Sequence, residues 1–288
     1  MGKDKEFFPE WYHKTAPENS YRSIFRWGYP HLFKHPNKRL YRLLKQVFAM
    51  TDDDFQKPSD LGEEIVSFNV PVNLSSQQLD NLRLIAGKEN VRTDDYSRLR
   101  AAYGKMIYDL MRLRKKMVEN LPDAVVCPRD KADVRSLVRY CHLQKIPVTA
   151  YGGCSSVMRG TECPRGGISL DMQAHMNRII ALNIQNQTVT VEPGILGPDL
   201  EDALNGAPKL FGTKLRYTCG HLPQSFHSST AGGWIVTRGA GQNSTYFYRQ
   251  DGNAGIPGIS GRCYQQYQAG RRRAQPPPRH RQDAGTLV

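Results

Sequence analysis

Two stretches of this chain hold residue types suited to gripping a phosphorylated ligand: Pro147 to Gly160, PVTAYGGCSSVMRG, and Cys219 to Gly241, CGHLPQSFHSSTAGGWIVTRGAG. A phosphate diester needs several hydrogen-bond donors at once. Main-chain N–H groups supply them most densely where no Cβ intrudes. Gly152 and Gly153 leave that approach open, and Ser155 and Ser156 add hydroxyl donors. The second stretch sets Ser225, Ser228, Ser229, Thr230, Gly232, Gly233, Thr237 and Arg238 around the apolar run Trp234 to Val236. A plain core strand would not carry so many hydroxyls. A loop and strand lining an aromatic, heteroatom-rich ligand would. Neither stretch is a G-x-G-x-x-G dinucleotide fingerprint or a P-loop. Together they point to a bound nucleotide cofactor.

These loops need elements to hold them. Ala124 to Cys127 reads as a buried strand. Asp130 caps a helix with Val134, Leu137, Val138 and Cys141 on one stripe, and Pro147 to Tyr151 reads as the next strand. That is β-α-β, two parallel strands joined by a crossover helix. Ile168 to Leu170, Arg178 to Leu182 and Thr188 to Glu192 read as further strands, whose short connections favour antiparallel pairing. Pro198 opens a short helix with Leu200 and Leu204. Upstream, Ser75 and Gln78 form a capping-box pattern for a helix to about Ala86. The spacing of Leu99, Tyr103, Met106, Ile107, Leu110, Leu113 and Met117 predicts one long helix over 96–120, with a solvated Arg/Lys face. The rings of residues 1–60, among them Trp11, Tyr12, Tyr21, Phe25, Trp27, Tyr29 and Phe33, read as an arm packed on the main body.

The chain has 288 residues, a formal net charge of +13 and six cysteines. That length allows one or two domains with a real core. The cysteines lack a tight framework and read as reduced thiols of an intracellular protein. No apolar run is long enough to span a membrane, and the N-terminus has no signal-peptide core. The positive charge suits an anionic substrate or an acidic membrane surface. Arg271 to Arg273 have no aromatic stacking platform beside them, so nucleic acid is not the expected partner. Cys219-x-His221 does not have zinc-site spacing, so no metal is assigned. His221 and His227 read as hydrogen-bonding pocket residues. The segment after Tyr248 is too poor in aliphatic residues to offset its ordering entropy and is expected to be disordered.

The stretches Met117 to Pro128 (MVENLPDAVVCP), Ile146 to Gly160 and Gly220 to Gly241, with SLDMQAHMNRI and VEPGILGPDLE between them, resemble the alkyl-dihydroxyacetonephosphate synthases. Those enzymes are FAD-linked oxidases with a vanillyl-alcohol-oxidase (PCMH-type) FAD domain. The resemblance covers about residues 95 to 245. It implies an α+β fold: a helical N-terminal region and arm over 1–94, a PCMH-type FAD-binding domain of two α/β subdomains over 95–248, incomplete, and a disordered tail over 249–288. It also implies that Ala150, Tyr151, Gly152, Gly153, Cys154, Ser155 and Ser156 hold the FAD pyrophosphate. Gln224, Ser225, Phe226, His227, Ser228, Ser229 and Thr230, with Thr237, Arg238, Gly239 and Ala240, would line the rest of the flavin. Cys154 stands where the family prefers a third glycine, Gln224 where it usually has Asp, and Gly239-Ala240 where it has Ala-Ser.

The family exchanges the acyl group of acyl-dihydroxyacetonephosphate for a fatty alcohol, an ether-lipid step with no net redox change. Its members are homodimers of peroxisomes or glycosomes, and association with a membrane surface fits their substrates. The family's cap and catalytic residues lie further along and have no counterpart here. No catalytic residue is therefore assigned, the chain alone is expected to be inactive, and its Arg/Pro/Gln-rich end resembles translation out of frame. Two other readings stay open: a fragment of an FAD-dependent D-2-hydroxyacid dehydrogenase, and a non-enzymatic basic remnant of the fold.

Overall fold

The computed structural model describes residues 15–25, 38–56, 61–239, 259–262 and 264–265. Three short helices come first: α1 (Tyr21–Ile24), α2 (Lys38–Phe48) and α3 (Asp52–Gln56). Tyr21 is buried and Phe25 packs beside it against Leu99, Tyr103 and Leu113, so this part of the arm does lie on the body. Trp11, Tyr12, Trp27, Tyr29 and Phe33 lie outside the described residues.

Helix α4 (Ser76–Ala86) starts at the capping box expected of it. Gln78 N donates to Ser75 Oγ at 3.2 Å and Ser75 N to Gln78 Oε1 at 2.9 Å. Then come β1 (Val91–Arg92), α5 (Asp95–Ala102), α6 (Ile107–Arg114), β2 (Ala124–Val126), α7 (Lys131–Gln144), β3 (Val148–Tyr151) and β4 (Ile168–Asp171). They build one sheet in the order β1-β2-β4-β3. Side chains alternate across it. Ala124, Val126, Ile168 and Leu170 face Leu82, Ala86, Leu137 and Cys141 of α4 and α7. Val125 and Tyr151 face Ala101 of α5 and Cys154. The core containing β2 and β4 thus includes α4 and β1, which precede residue 95.

Three sequence expectations change here. β2 and β3 are parallel, but β4 lies between them and is parallel to both, not antiparallel. The stretch from the glycine loop to Gly167 returns the chain to the start of the sheet, which a parallel neighbour requires. Val138, expected on the buried stripe of α7, is 46% exposed. The long helix over 96–120 is two helices broken at Tyr103–Met106, and residues 115–120 are irregular. Lys105 N donates to Ser156 O at 2.8 Å, so a tertiary hydrogen bond replaces the helical one. Asp109 caps the restart at Met106 N. The cationic face is not uniformly solvated either. Arg112 is buried, lies 4.2 Å from the centre of the Tyr103 ring and pairs with Asp109, Glu119 and Glu162.

The second half holds β5 (Ile179–Asn183), β6 (Thr188–Val191), α8 (Gly197–Asn205), α9 (Ala207–Leu210), β7 (Tyr217–Thr218) and α10 (Ala231–Val236). β5 and β6 pair antiparallel, as read from their short connection. α8 starts at Gly197, with the expected Pro198 in its first turn. Val189, Val191, Leu200, Leu204, Tyr217 and Trp234 share a second core. Strands β8 (Ile259–Arg262) and β9 (Tyr264–Gln265) pair with β6 and β7. They fall in the segment expected to be disordered. The remainder of 249–288 lies outside the described residues.

Candidate functional site

β3 ends at Tyr151, at the C-terminal edge of the parallel strands, where open α/β sheets place their ligands. The glycine turn follows. None of the main-chain N–H groups from Gly152 to Ser156 meets an acceptor among the described residues. Cys154 adopts φ 52°, the left-handed conformation that turns successive N–H groups toward a common point. Its side chain turns inward, and its Sγ donates to Tyr103 O at 2.7 Å. Burial pushes this thiol up to about 11, so it stays protonated and able to donate at neutral pH. The Cβ that the missing third glycine introduces is therefore buried against Ala101, Val125 and Tyr151.

The second stretch comes to the same place. A Cβ on Gly152 would stand 2.5 Å from Thr230 Oγ1, and one on Gly153 would stand 2.0 Å from Ser228 O. The two glycine-bearing segments are in direct contact, and Gly153 is glycine because the main chain of Ser228 occupies the space of a side chain. Residues 193–197 brace the segment from behind. Gly197 N donates to Ser229 O, Ala231 N to Ile195 O and Gly232 N to Pro193 O.

Several hydroxyls read as ligand-lining also serve the fold. Ser229 Oγ accepts from Trp234 Nε1 at 2.7 Å, and Thr230 Oγ1 accepts from Gly233 N as the N-cap of α10. Thr237 Oγ1 donates to Gly233 O. Trp234 to Val236 is helical, not a lining strand, because Thr230 caps that turn and buries Trp234 against His221 and Phe226. Burial lowers the pKa of His221 and keeps its ring neutral beside Trp234.

The structure thus brings Tyr151, Gly152, Gly153 and Cys154 together with His227, Ser228, Ser229 and Thr230. Ala150 precedes them on β3, and Ser155 and Ser156 complete the turn. Gln224 is exposed, while Ser225 and Phe226 are half-buried in the approach to the segment. Thr237, Arg238 and Gly239 lie beyond α10, and no hydrogen bond joins them to the glycine turn among the described residues. Ala240 lies outside the described residues.

A cavity of about 270 Å³ opens beside the turn, lined by Arg100, Lys105, Tyr96, Tyr151, Gly153 and His227 among others, with α1 closing one side. Sequence reasoning missed Arg100 and Lys105, which it assigned to a solvated helix face. The signal available was Gly104, a poor helix former next to a lysine inside an otherwise helical pattern. Among the described residues no group of three or more His, Cys, Asp or Glu is placed to hold a metal ion. A row of N–H donors without acceptors, next to Arg100 and Lys105, fits the pyrophosphate of a dinucleotide.

Residues 122–250 match the family model described as an FAD binding domain. The chain is 30% identical over 220 residues to the alkyldihydroxyacetonephosphate synthase of Trypanosoma brucei brucei, a match covering 74% of this chain and 34% of that protein. It is 39% identical over 85 residues to the mitochondrial D-lactate dehydrogenase [cytochrome] of Arabidopsis thaliana, covering 30% of this chain and 15% of that one. A solved alkyldihydroxyacetonephosphate synthase superposes with a TM-score of 0.57 at 26% identity, covering 63% of this chain and 34% of the other. The chain therefore spans about a third of the length of these synthases. The matching FAD-binding domain makes FAD the cofactor, and with the fold shared with a solved alkyldihydroxyacetonephosphate synthase it assigns this chain to the FAD-linked oxidase superfamily.

Proposed function

We propose that this chain provides the FAD-binding portion of an ether-lipid enzyme of the alkyldihydroxyacetonephosphate synthase type. The observation that carries the cofactor half of this reading is the N–H row of Gly152–Ser156, braced by Ser228–Thr230 at the end of β3. The extent of the synthase match, 220 residues against 85 for the D-lactate dehydrogenase, supports the substrate half. On this reading the substrates are acyl-dihydroxyacetonephosphate and a fatty alcohol. Residence in a peroxisome or glycosome and a homodimeric state go with it, as does contact with a membrane surface. Bound FAD supplies an electron sink for a carbanion-like carbon. The chain's own residues bind and orient it. The Gly152–Ser156 amides meet the pyrophosphate, Arg100 and Lys105 offset its charge, and Gly153 lets Ser228 close the turn.

The test has two arms. Protein purified with added FAD should retain a visible flavin spectrum after gel filtration. A chimaera carrying residues 95–239 in place of the matching segment of the trypanosomal synthase should exchange acyl for alkyl groups. Dye reduction driven by D-lactate in that chimaera, without exchange, would favour the second reading, an FAD-dependent D-2-hydroxyacid dehydrogenase, which the dehydrogenase relatives motivate.

A further inference from the structure

The glycine turn is held from below by the break between α5 and α6. Four contacts converge there. Cys154 Sγ donates to Tyr103 O at 2.7 Å. Lys105 N donates to Ser156 O at 2.8 Å. Thr161 Oγ1 donates to Ala102 O at 3.2 Å. Gly104 lies so close under the turn that a Cβ on it would stand 2.1 Å from Ser156 O. All four fall on Ala102–Lys105, the only place where the α5–α6 helical run is interrupted. Breaking that run exposes the carbonyls of Ala102 and Tyr103 and the Lys105 amide to partners outside the helix. The glycine loop and the segment after it are those partners.

We propose that this helix break is a docking platform that presets the cofactor loop, and that Cys154 and Gly104 are positioning residues for the FAD pyrophosphate. Cys154 combines two demands at one position. Its backbone takes φ 52°, which costs a non-glycine residue free energy. Its thiol hydrogen bond to Tyr103 O offsets that cost and locks the turn. A glycine would adopt the same φ without strain but would leave the Tyr103 carbonyl unpaired by the loop. The loop amides contact the ligand, and Cys154 acts through them. Loosening the turn lowers the fraction of protein in the binding-competent shape, and apparent affinity falls by that fraction.

This proposal rests on the cofactor reading above, and ADP, which carries the pyrophosphate, separates the two. Titration calorimetry of the full chain should show ADP and FAD binding to the unaltered protein. Cys154→Ala should weaken both about fivefold, the scale of one net hydrogen bond. Cys154→Ser, whose hydroxyl can still donate to Tyr103 O, should recover most of that loss. Gly104→Ala should weaken both further, or fail to fold, in which case the cysteine pair decides. Cys154→Ala binding ADP as tightly as the unaltered chain would overturn the proposal, whatever its melting temperature. So would a serine variant no better than alanine. An unaltered chain that binds neither ADP nor FAD would overturn the cofactor reading itself, and the proposal with it.

Discussion

At Gly153 the side-chain position is occupied by the main chain of Ser228, so even one methyl group has nowhere to go. Gly153→Ala should lower stability by about 1–3 kcal/mol through overpacking. It should also separate the two loops and remove the retained flavin spectrum, which thermal unfolding and absorbance after gel filtration would check. Thr230 is a milder case. Its hydroxyl caps α10 through Gly233 N, and Thr230→Val keeps the shape but removes the acceptor. Loss of about 1 kcal/mol is expected from the missing cap, read by denaturant titration. Such residue-scale roles were partly visible beforehand. The glycines marked a close approach, but whether the approaching group was ligand or protein depended on where Ser228 came to lie. The hydroxyls of Ser229 and Thr230 were read as ligand-lining, but their roles in capping α10 and holding Trp234 were not legible, because a serine or threonine beside glycines reads the same whether it caps a helix or lines a pocket.

At the scale of elements, α6 and the segments 115–120 and 156–163 are tied together by charge. Glu162 accepts from Arg159 at 2.6 Å, Asn120 at 2.5 Å and Arg112 at 2.8 Å. Burial opposes ionisation of Glu162, but those three donors outweigh it and hold the carboxyl below its usual range. A depressed folded-state pKa means that the stabilisation is present above the ordinary glutamate value of about 4.3 and is lost as pH falls through the lowered one. Glu162→Gln should therefore cost about 1–3 kcal/mol at neutral pH, as hydrogen bonds to a charged group do. It should also flatten the acid limb of a stability–pH profile, measured by urea unfolding from neutral to acidic pH. A mutant profile parallel to the original would show that Glu162 is not the titrating group. This network could not be read from the sequence. The arginines of α6 follow a solvated-face pattern, and only the break at Gly104 turns Arg112 inward over Tyr103.

At the scale of the whole molecule, the cores of the two sheet-bearing halves meet at one seam. The parallel sheet with α4 and α7 presents the glycine turn, and the antiparallel half with α8 and α10 presents Ser228–Thr230. A ligand bound across that seam should stabilise both halves together. With free FAD at about a hundred times its dissociation constant, unfolding should become harder by about 2.7 kcal/mol, giving one transition at a higher midpoint. Two separate transitions, with only one responding to FAD, would mean that the seam is not the binding site. Differential scanning calorimetry with and without FAD distinguishes these results.

The chain's own order of residues determined the elements whose signals are local. The capping box of α4, the strands β2 and β4, the helix after Asp130, α8 with Pro198 in its first turn and the two glycine-rich stretches all depend on neighbours within a few positions. Tertiary structure alone decided β4's place between β2 and β3, the partners that take up the backbone groups freed between α5 and α6, and the identity of the group lying against each glycine. Those features rest on contacts between residues far apart in sequence. Ser156 O on Lys105 N and Ser228 O over Gly153 are two of them, and hydrophobic periodicity carries no record of either.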